Sequence, residues 1–209
     1  MKMITNIKPT DIEKRSFEII TELLGDRVLD PQNEFVIKRA IHTTADFDYA
    51  DNLVFSENAA AKGIEALRSG CDIVTDTQMA KSGINKTILE KLGGTVHCFM
   101  SDADVASEAK QRGITRAYVS MERAAKLPKP CIFAIGNAPT ALIALHDMLE
   151  KGGIAPALII GVPVGFVNVV ESKELIIGSD VPHIVARGRK GGSNVAAAIC
   201  NALLYQIMR

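Results

Sequence analysis

Among the residues of this chain able to do acid–base or anion chemistry, His42 has the most suggestive neighbours. Phe35, Arg39 and His42 are spaced i, i+4, i+7 and share one face of a helix. An Arg beside a His on such a face would hold an anionic ligand while the imidazole exchanges a proton near neutral pH. A structural role for a lone helical His is the competing reading. Gly136-Asn137-Ala138-Pro139-Thr140 leaves a strand and enters a helix, so its backbone N–H groups and the Thr140 side chain form a candidate anion site. A tight strand-to-helix turn accounts for it equally well. Arg187-Gly188-Arg189-Lys190-Gly191-Gly192-Ser193 places three cations in a glycine-rich loop suited to carboxylates or phosphate. A solvated basic turn is the bland version, but three glycines cost order in a mere connector and permit close approach of a ligand.

Other chemistries lack their motifs. Neither G-x-G-x-x-G nor G-x-x-x-x-G-K-[ST] occurs, nor G-x-S-x-G, nor H-E-x-x-H. Asp46, Asp48 and Asp51 lack the glycine and closing Glu of a calcium loop. His97 alternates with Cys98 on a strand, so the two cannot chelate together; His146 and His183 read as structural or surface residues. The cysteines at 71, 98, 131 and 200 form no C-x-x-C pair and read as buried small hydrophobes of a reduced compartment. No metal site and no cofactor are expected.

The elements that must carry these residues follow from periodicity. Thr10-Asp11-Ile12-Glu13 has capping-box spacing and opens a helix ending near Gly25, with Ile12, Ile19, Ile20 and Leu23 as its apolar stripe and Ser16 inside it. A second helix opens at Asp30-Pro31 and runs to about Thr43; the loop TADFDYAD after it fits neither period. Short apolar runs then alternate with helical segments. Strands are expected at 53–55, 72–75, 95–99, 131–135, 157–161 and, more weakly, 183–186, with further helices from 116 to 127 and from Asn194. Strands apolar on both faces and separated by helices imply an α/β fold: a three-layer α/β/α arrangement around a mostly parallel, doubly wound sheet. No linker or repeat appears, so residues 1–209 read as a single domain.

Composition agrees. Of 209 residues, 47% are hydrophobic and 23% charged, enough apolar surface to exclude disorder as the main state. Lys+Arg and Asp+Glu are both 24, which gives no global charge surplus for nucleic acid or an anionic membrane. The opening MKMITNIKPTDIEKR lacks the apolar core of a signal peptide, and the stretch from Ala157 to Val170 is shorter than the ~20 residues a membrane span needs. A soluble, cytoplasmic protein is expected.

The segment FVIKRAIHTTADFDY resembles the signature of the precorrin-8X methylmutase family, including its cobalt-precorrin-8 members. GCDIVTDTQMAKSGI, AIGNAPTAL, LIIGVPVGFVNVVESKELI and ARGRKGGSNVAAA are similar to further blocks of that family in the same order, from Phe35 to Ala198. The resemblance implies an isomerase of corrin (vitamin B12) biosynthesis that moves a methyl group from C-11 to C-12 of the macrocycle by a 1,5-sigmatropic shift, giving hydrogenobyrinate or cobyrinate. It implies a tetrapyrrole substrate, a homodimer with the substrate near the subunit interface, and His42 as the proton donor/acceptor. Arg39 and Ser16 would touch substrate, and the carboxylates of the macrocycle suit Asn137 and Thr140 on one loop and Arg187, Arg189, Lys190 and Ser193 on the other. A non-catalytic tetrapyrrole or acidic-metabolite binding protein is the alternative. Phe47 and Tyr49 are the residues offered as interface anchors, with packing inside their own subunit as the competing role.

Overall fold

The computed structural model describes residue 8 and residues 11–208. Helix α1 (Ile12–Leu24) pairs with α2 (Glu34–Thr44); a four-residue α3 (Tyr49–Asn52) leads into β1 (Leu53–Phe55). The chain continues through α4 (Ala59–Arg68), β2 (Asp72–Thr75), α5 (Gln78–Gly83), α6 (Lys86–Lys91) and β3 (Val96–His97). Then follow α7 (Ala103–Arg112), α8 (Arg116–Ala124), β4 (Cys131–Ile135), α9 (Pro139–Glu150), β5 (Leu158–Gly161), α10 (Val169–Ile177), β6 (His183–Ala186) and α11 (Ser193–Ile207).

Among the described residues, six strands form one sheet in the order β1-β6-β5-β4-β2-β3. All neighbours are parallel except β1, which runs antiparallel to β6 with Leu53 opposite Ala186. The expected mostly parallel sheet is therefore present. Alternation along β4 shows why both faces are apolar: Ile132 and Ala134 pack into the layer of α2, α4 and α11, whereas Cys131, Phe133 and Ile135 pack against α8, α9 and α10. All five residues of β4 are buried. The chain steps outward from β2 to β3, then returns to place β4 on the other side of β2. The carboxyl ends of β2 and β4 thus flank the switch point, where ligands of open α/β sheets bind.

Several expectations need adjusting. The strand expected at 95–99 is only Val96–His97. It lies at the sheet edge, and the Thr75 hydroxyl donates to the His97 carbonyl where the ladder would continue. Helix α2 starts at Glu34, because Asp30 uses its carboxylate on the Gln32 N–H and the Asn33 side chain and closes a separate turn first. Within the expected loop TADFDYAD lies α3, and α5 follows β2 unannounced, capped by the Thr77 hydroxyl accepting from Ala80 N–H. Thr10 of the expected capping box lies outside the described residues. Of the α1 stripe, Ile20 is buried, but Ile12, Ile19 and Leu23 face outward, Leu23 at 65% exposure. Tyr49 is only 3% exposed, so local packing takes the place of the anchor role offered for it, and Phe47 is partly buried against the same core. All four cysteines are free and buried, and burial pushes the Cys71 thiol up to about 12 and Cys131 to about 11. Such thiols are inert hydrophobes.

Candidate active site

At the switch point, the predicted anion is the protein's own. Asp76, fully buried just after β2, accepts hydrogen bonds from the backbone N–H groups of Gly136 (2.8 Å), Asn137 (2.8 Å) and Ala138 (2.5 Å). The backbone amides expected to cradle substrate are thus occupied, which corrects the anion-site reading of this loop. Burial pushes the Asp76 carboxyl above the usual carboxylate range, against the pull of the three amide donors. Thr140 is likewise engaged: it accepts from the Thr115 hydroxyl (2.9 Å), the cap of α8, and so ties α8 to α9. The Asn137 residue as a whole remains exposed.

The loop of residues 187–193 after β6 does not gather its cations into one cradle. Arg187 pairs with Glu174 of α10 (2.9 Å). Arg189 donates to the Phe166 carbonyl (2.8 Å) and lies 5.5 Å from the centroid of the Phe166 ring. Lys190 reaches Asp46 and Asp48 at 2.6 Å each, beyond the end of the His42 helix. That contact holds the Asp46 carboxyl below the usual range. Ser193 shares a 2.8 Å hydrogen bond with Thr77. The glycines serve close packing as well as flexibility. A Cβ on Gly191 would meet the Val162 carbonyl oxygen at 2.1 Å, and one on Gly136 would meet Ser193 Cα at 2.6 Å. Loops from β2, β4, β5 and β6 are thereby locked together at the carboxyl end of the sheet.

Sequence reasoning missed two members of this assembly, Lys173 and Asp76. Lys173 of α10 is fully buried, and its ammonium donates to the carbonyls of Gly188 and Lys190, both at 2.8 Å. Burial pushes it down to about 8. A signal was available: Val169, Lys173 and Ile176 fall at i, i+4, i+7, so the lysine sits inside the apolar stripe of its helix. Asp76 carried no such signal, since its partners lie 60 to 62 residues away.

The hairpin of α1 and α2 builds the remaining part. Phe17 lies between the two candidates on α2: its ring stacks on the His42 imidazole, with centroids 5.3 Å apart and planes 15° from parallel, and the Arg39 guanidinium sits 4.8 Å from its centroid. Arg39 also lies over Tyr205 of α11 and pairs with Glu13. His42 is exposed. Arg39 borders an open cavity of about 680 Å³ between α1, α2 and α11, which Phe17, Phe35 and Tyr205 also line. Its volume is in the range of small-molecule sites. The Ser16 hydroxyl donates to the Ile12 carbonyl (2.9 Å), the back-bonding of a helical serine, and keeps its lone pairs for a donor. The structure therefore brings Arg39 and His42 together through Phe17 and links their helix end to the basic loop through Lys190. Asn137 and Thr140 stand apart, on the switch-point side.

The sequence profile of the precorrin-8X methylmutase family matches residues 11–206. The chain belongs to that family. A methylmutase of this kind is an isomerase that shifts a methyl group intramolecularly, in corrin biosynthesis. The chain is 47% identical over 208 residues to the cobalt-precorrin-8 methylmutase of Salmonella typhimurium, covering 96% of each chain. It is 45% identical over 197 residues to that of Priestia megaterium, covering 94% of this chain and 88% of the relative. The solved precorrin-8X methylmutase of Thermus thermophilus superposes with a TM-score of 0.87 at 36% identity, covering 95% of this chain and 98% of the other. Among the described residues, no helix of this methylmutase is long and apolar enough to cross a membrane.

Proposed function

We propose that this methylmutase acts on cobalt-precorrin-8, moving the ring methyl from C-11 to C-12 by a 1,5-sigmatropic shift to give cobyrinate, with His42 as the proton donor/acceptor. The observation that carries the assignment is the exposed imidazole laid flat on Phe17, one helical turn from Arg39, with Phe17 and Arg39 both lining the open cavity. The bond from C-11 to the methyl carbon breaks as the bond to C-12 forms, so substrate and product share one formula and no oxidant or reductant is consumed. What the protein must supply is orientation of a large polycarboxylate and a proton beside the ring. In a metal-free macrocycle a ring nitrogen can take that proton; with cobalt bound its lone pair is occupied, and a tautomeric ring carbon is the remaining site. Arg39 and the exposed Arg189 supply carboxylate-binding charge, and Ser16 offers a hydroxyl on the same hairpin. The relatives from Salmonella typhimurium and Priestia megaterium, both named for the cobalt form, favour it.

Incubation with cobalt-precorrin-8 and, side by side, with its metal-free counterpart tests the assignment. Rearrangement alters ring conjugation, so the ultraviolet–visible spectrum should shift to that of the product, faster for the cobalt form. A spectrum that changes only on binding and reverts on release would leave a tetrapyrrole-binding protein in place of an enzyme.

The outward stripe of α1 supports a homodimer. Ile12, Ile19 and Leu23 recur at i, i+7, i+11 on an exposed face, with Ser16 in the same row. A second copy laid on this face would bury the stripe and close the hairpin side of the site. Sedimentation at micromolar concentration should report twice the mass of the chain, and Leu23→Glu should yield monomer with reduced turnover. A wild-type monomer with full turnover would overturn the shared-site arrangement.

A further inference from the structure

Lys173 is fully buried, and its ammonium donates to two backbone carbonyls of a single loop. Burying an ammonium is costly unless it is hydrogen-bonded, so the groups it meets show which segment it holds. The carbonyls of Gly188 and Lys190 flank Arg189, and both turn inward onto the same ammonium. Arg189 between them turns outward and exposed, with one donor on the Phe166 carbonyl and its guanidinium against the Phe166 ring. The Gly165 N–H donates back to the Arg189 carbonyl (3.3 Å), and the Gly192 N–H to the Val162 carbonyl (2.9 Å). The outcome is a tip at the carboxyl end of the sheet where Phe166 and Val167, 82% and 78% exposed, stand beside a fixed cation. A flat ring system with carboxylates on its rim presents the complementary surface, apolar within and anionic outside.

We propose that Lys173 is a positioning residue for substrate capture: by pinning the carbonyls on either side of Arg189, it holds Arg189 and Phe166 as one docking element for the macrocycle and a rim carboxylate. This rests on the corrin substrate proposed above. Lys173 touches no substrate itself, and the side chains of Arg187 and Lys190 keep their own partners, Glu174 and the Asp46–Asp48 pair.

Lys173→Met removes the donors at nearly constant volume; Lys173→Gln, which keeps a shorter donor, replaces it should the methionine variant not fold. Amide hydrogen exchange across residues 187–192 should accelerate at least tenfold, and trypsin should cut after Arg187, Arg189 or Lys190 where the wild type resists. KM for cobalt-precorrin-8 should rise about tenfold with kcat within about threefold, and Arg189→Gln should reproduce the KM change without loosening the loop. A role in bulk stability alone would instead lower the melting temperature and leave local exchange and KM in step with it. Unchanged exchange in the loop overturns the pinning, and accelerated exchange with unchanged KM overturns the link to capture. Absence of turnover by the wild type would fail the proposed activity, while the exchange result would still judge the pinning by itself.

Discussion

His42→Ala should lower turnover by ~10²–10⁴-fold, the usual contribution of a positioned general acid or base, while the protein stays folded. The imidazole is exposed and stacks on the ring of Phe17, so truncation takes away a surface group and an aromatic contact. Stacking of this kind contributes ~0.5–1.5 kcal/mol, and for a chain of this length ~1 kcal/mol moves the melting temperature by about 2–4 °C. The loss should therefore appear in kcat, with binding of the corrin nearly intact, as expected of an interaction made in the transition state. His42→Gln separates the roles further: it retains hydrogen-bonding atoms and much of the stack but cannot exchange a proton near neutral pH. Glutamine should be as inactive as alanine. Activity of either variant within a few-fold of wild type would remove His42 from the chemistry and reduce it to an aromatic partner of Phe17.

The parts of the fold that were legible are those in which local pattern and global role agree. β4 reads as CIFAI in the sequence and is CIFAI in the sheet, because a strand buried on both faces must be apolar throughout. The proximity of Arg39 and His42 was equally legible, since three residues along a helix puts side chains on one face. The α1 stripe shows where periodicity stops. A run of Ile12, Ile19 and Leu23 fixes which face is apolar, but not what that face meets. Here it looks outward while the residues beside it, Ile20 and Leu24, fill the core. Phe17 was hidden for a related reason: its importance comes from lying between two side chains of another helix, and the α1 sequence holds no trace of that packing. The cations of residues 187–190 were visible as a cluster, but their partners, Glu174, Phe166, Asp46 and Asp48, come from three other segments that only the fold assembles.

Asp76 is the most consequential residue that local pattern could not find, and its replacement should give the largest loss of stability. In Asp76→Ala the N–H groups of Gly136, Asn137 and Ala138 lose their acceptor in a site where Asp76 itself has no solvent exposure. An unsatisfied buried donor costs ~1–3 kcal/mol. The three are adjacent in one loop and relax together, so their costs do not simply add. A total of ~3–5 kcal/mol is expected, which places the variant among the severe single substitutions and should lower the melting temperature by about 6–20 °C. Asp76→Asn should recover only part of this. Its amide oxygen can replace one carboxylate oxygen, but its NH₂ then points at a backbone N–H that needs an acceptor. The damage should also spread along defined contacts. Asp76 lies next to Thr77, which caps α5 and bonds Ser193, and Gly136 is packed against Ser193 Cα. Loosening the loop after β4 therefore releases the start of α11 and the end of the basic loop. Urea unfolding and hydrogen exchange across residues 136–140 and 192–196 measure both effects. A stability loss under 1 kcal/mol, or exchange confined to the β4 loop, would show that water takes the place of the carboxylate and that the loops at the switch point are not held as one unit.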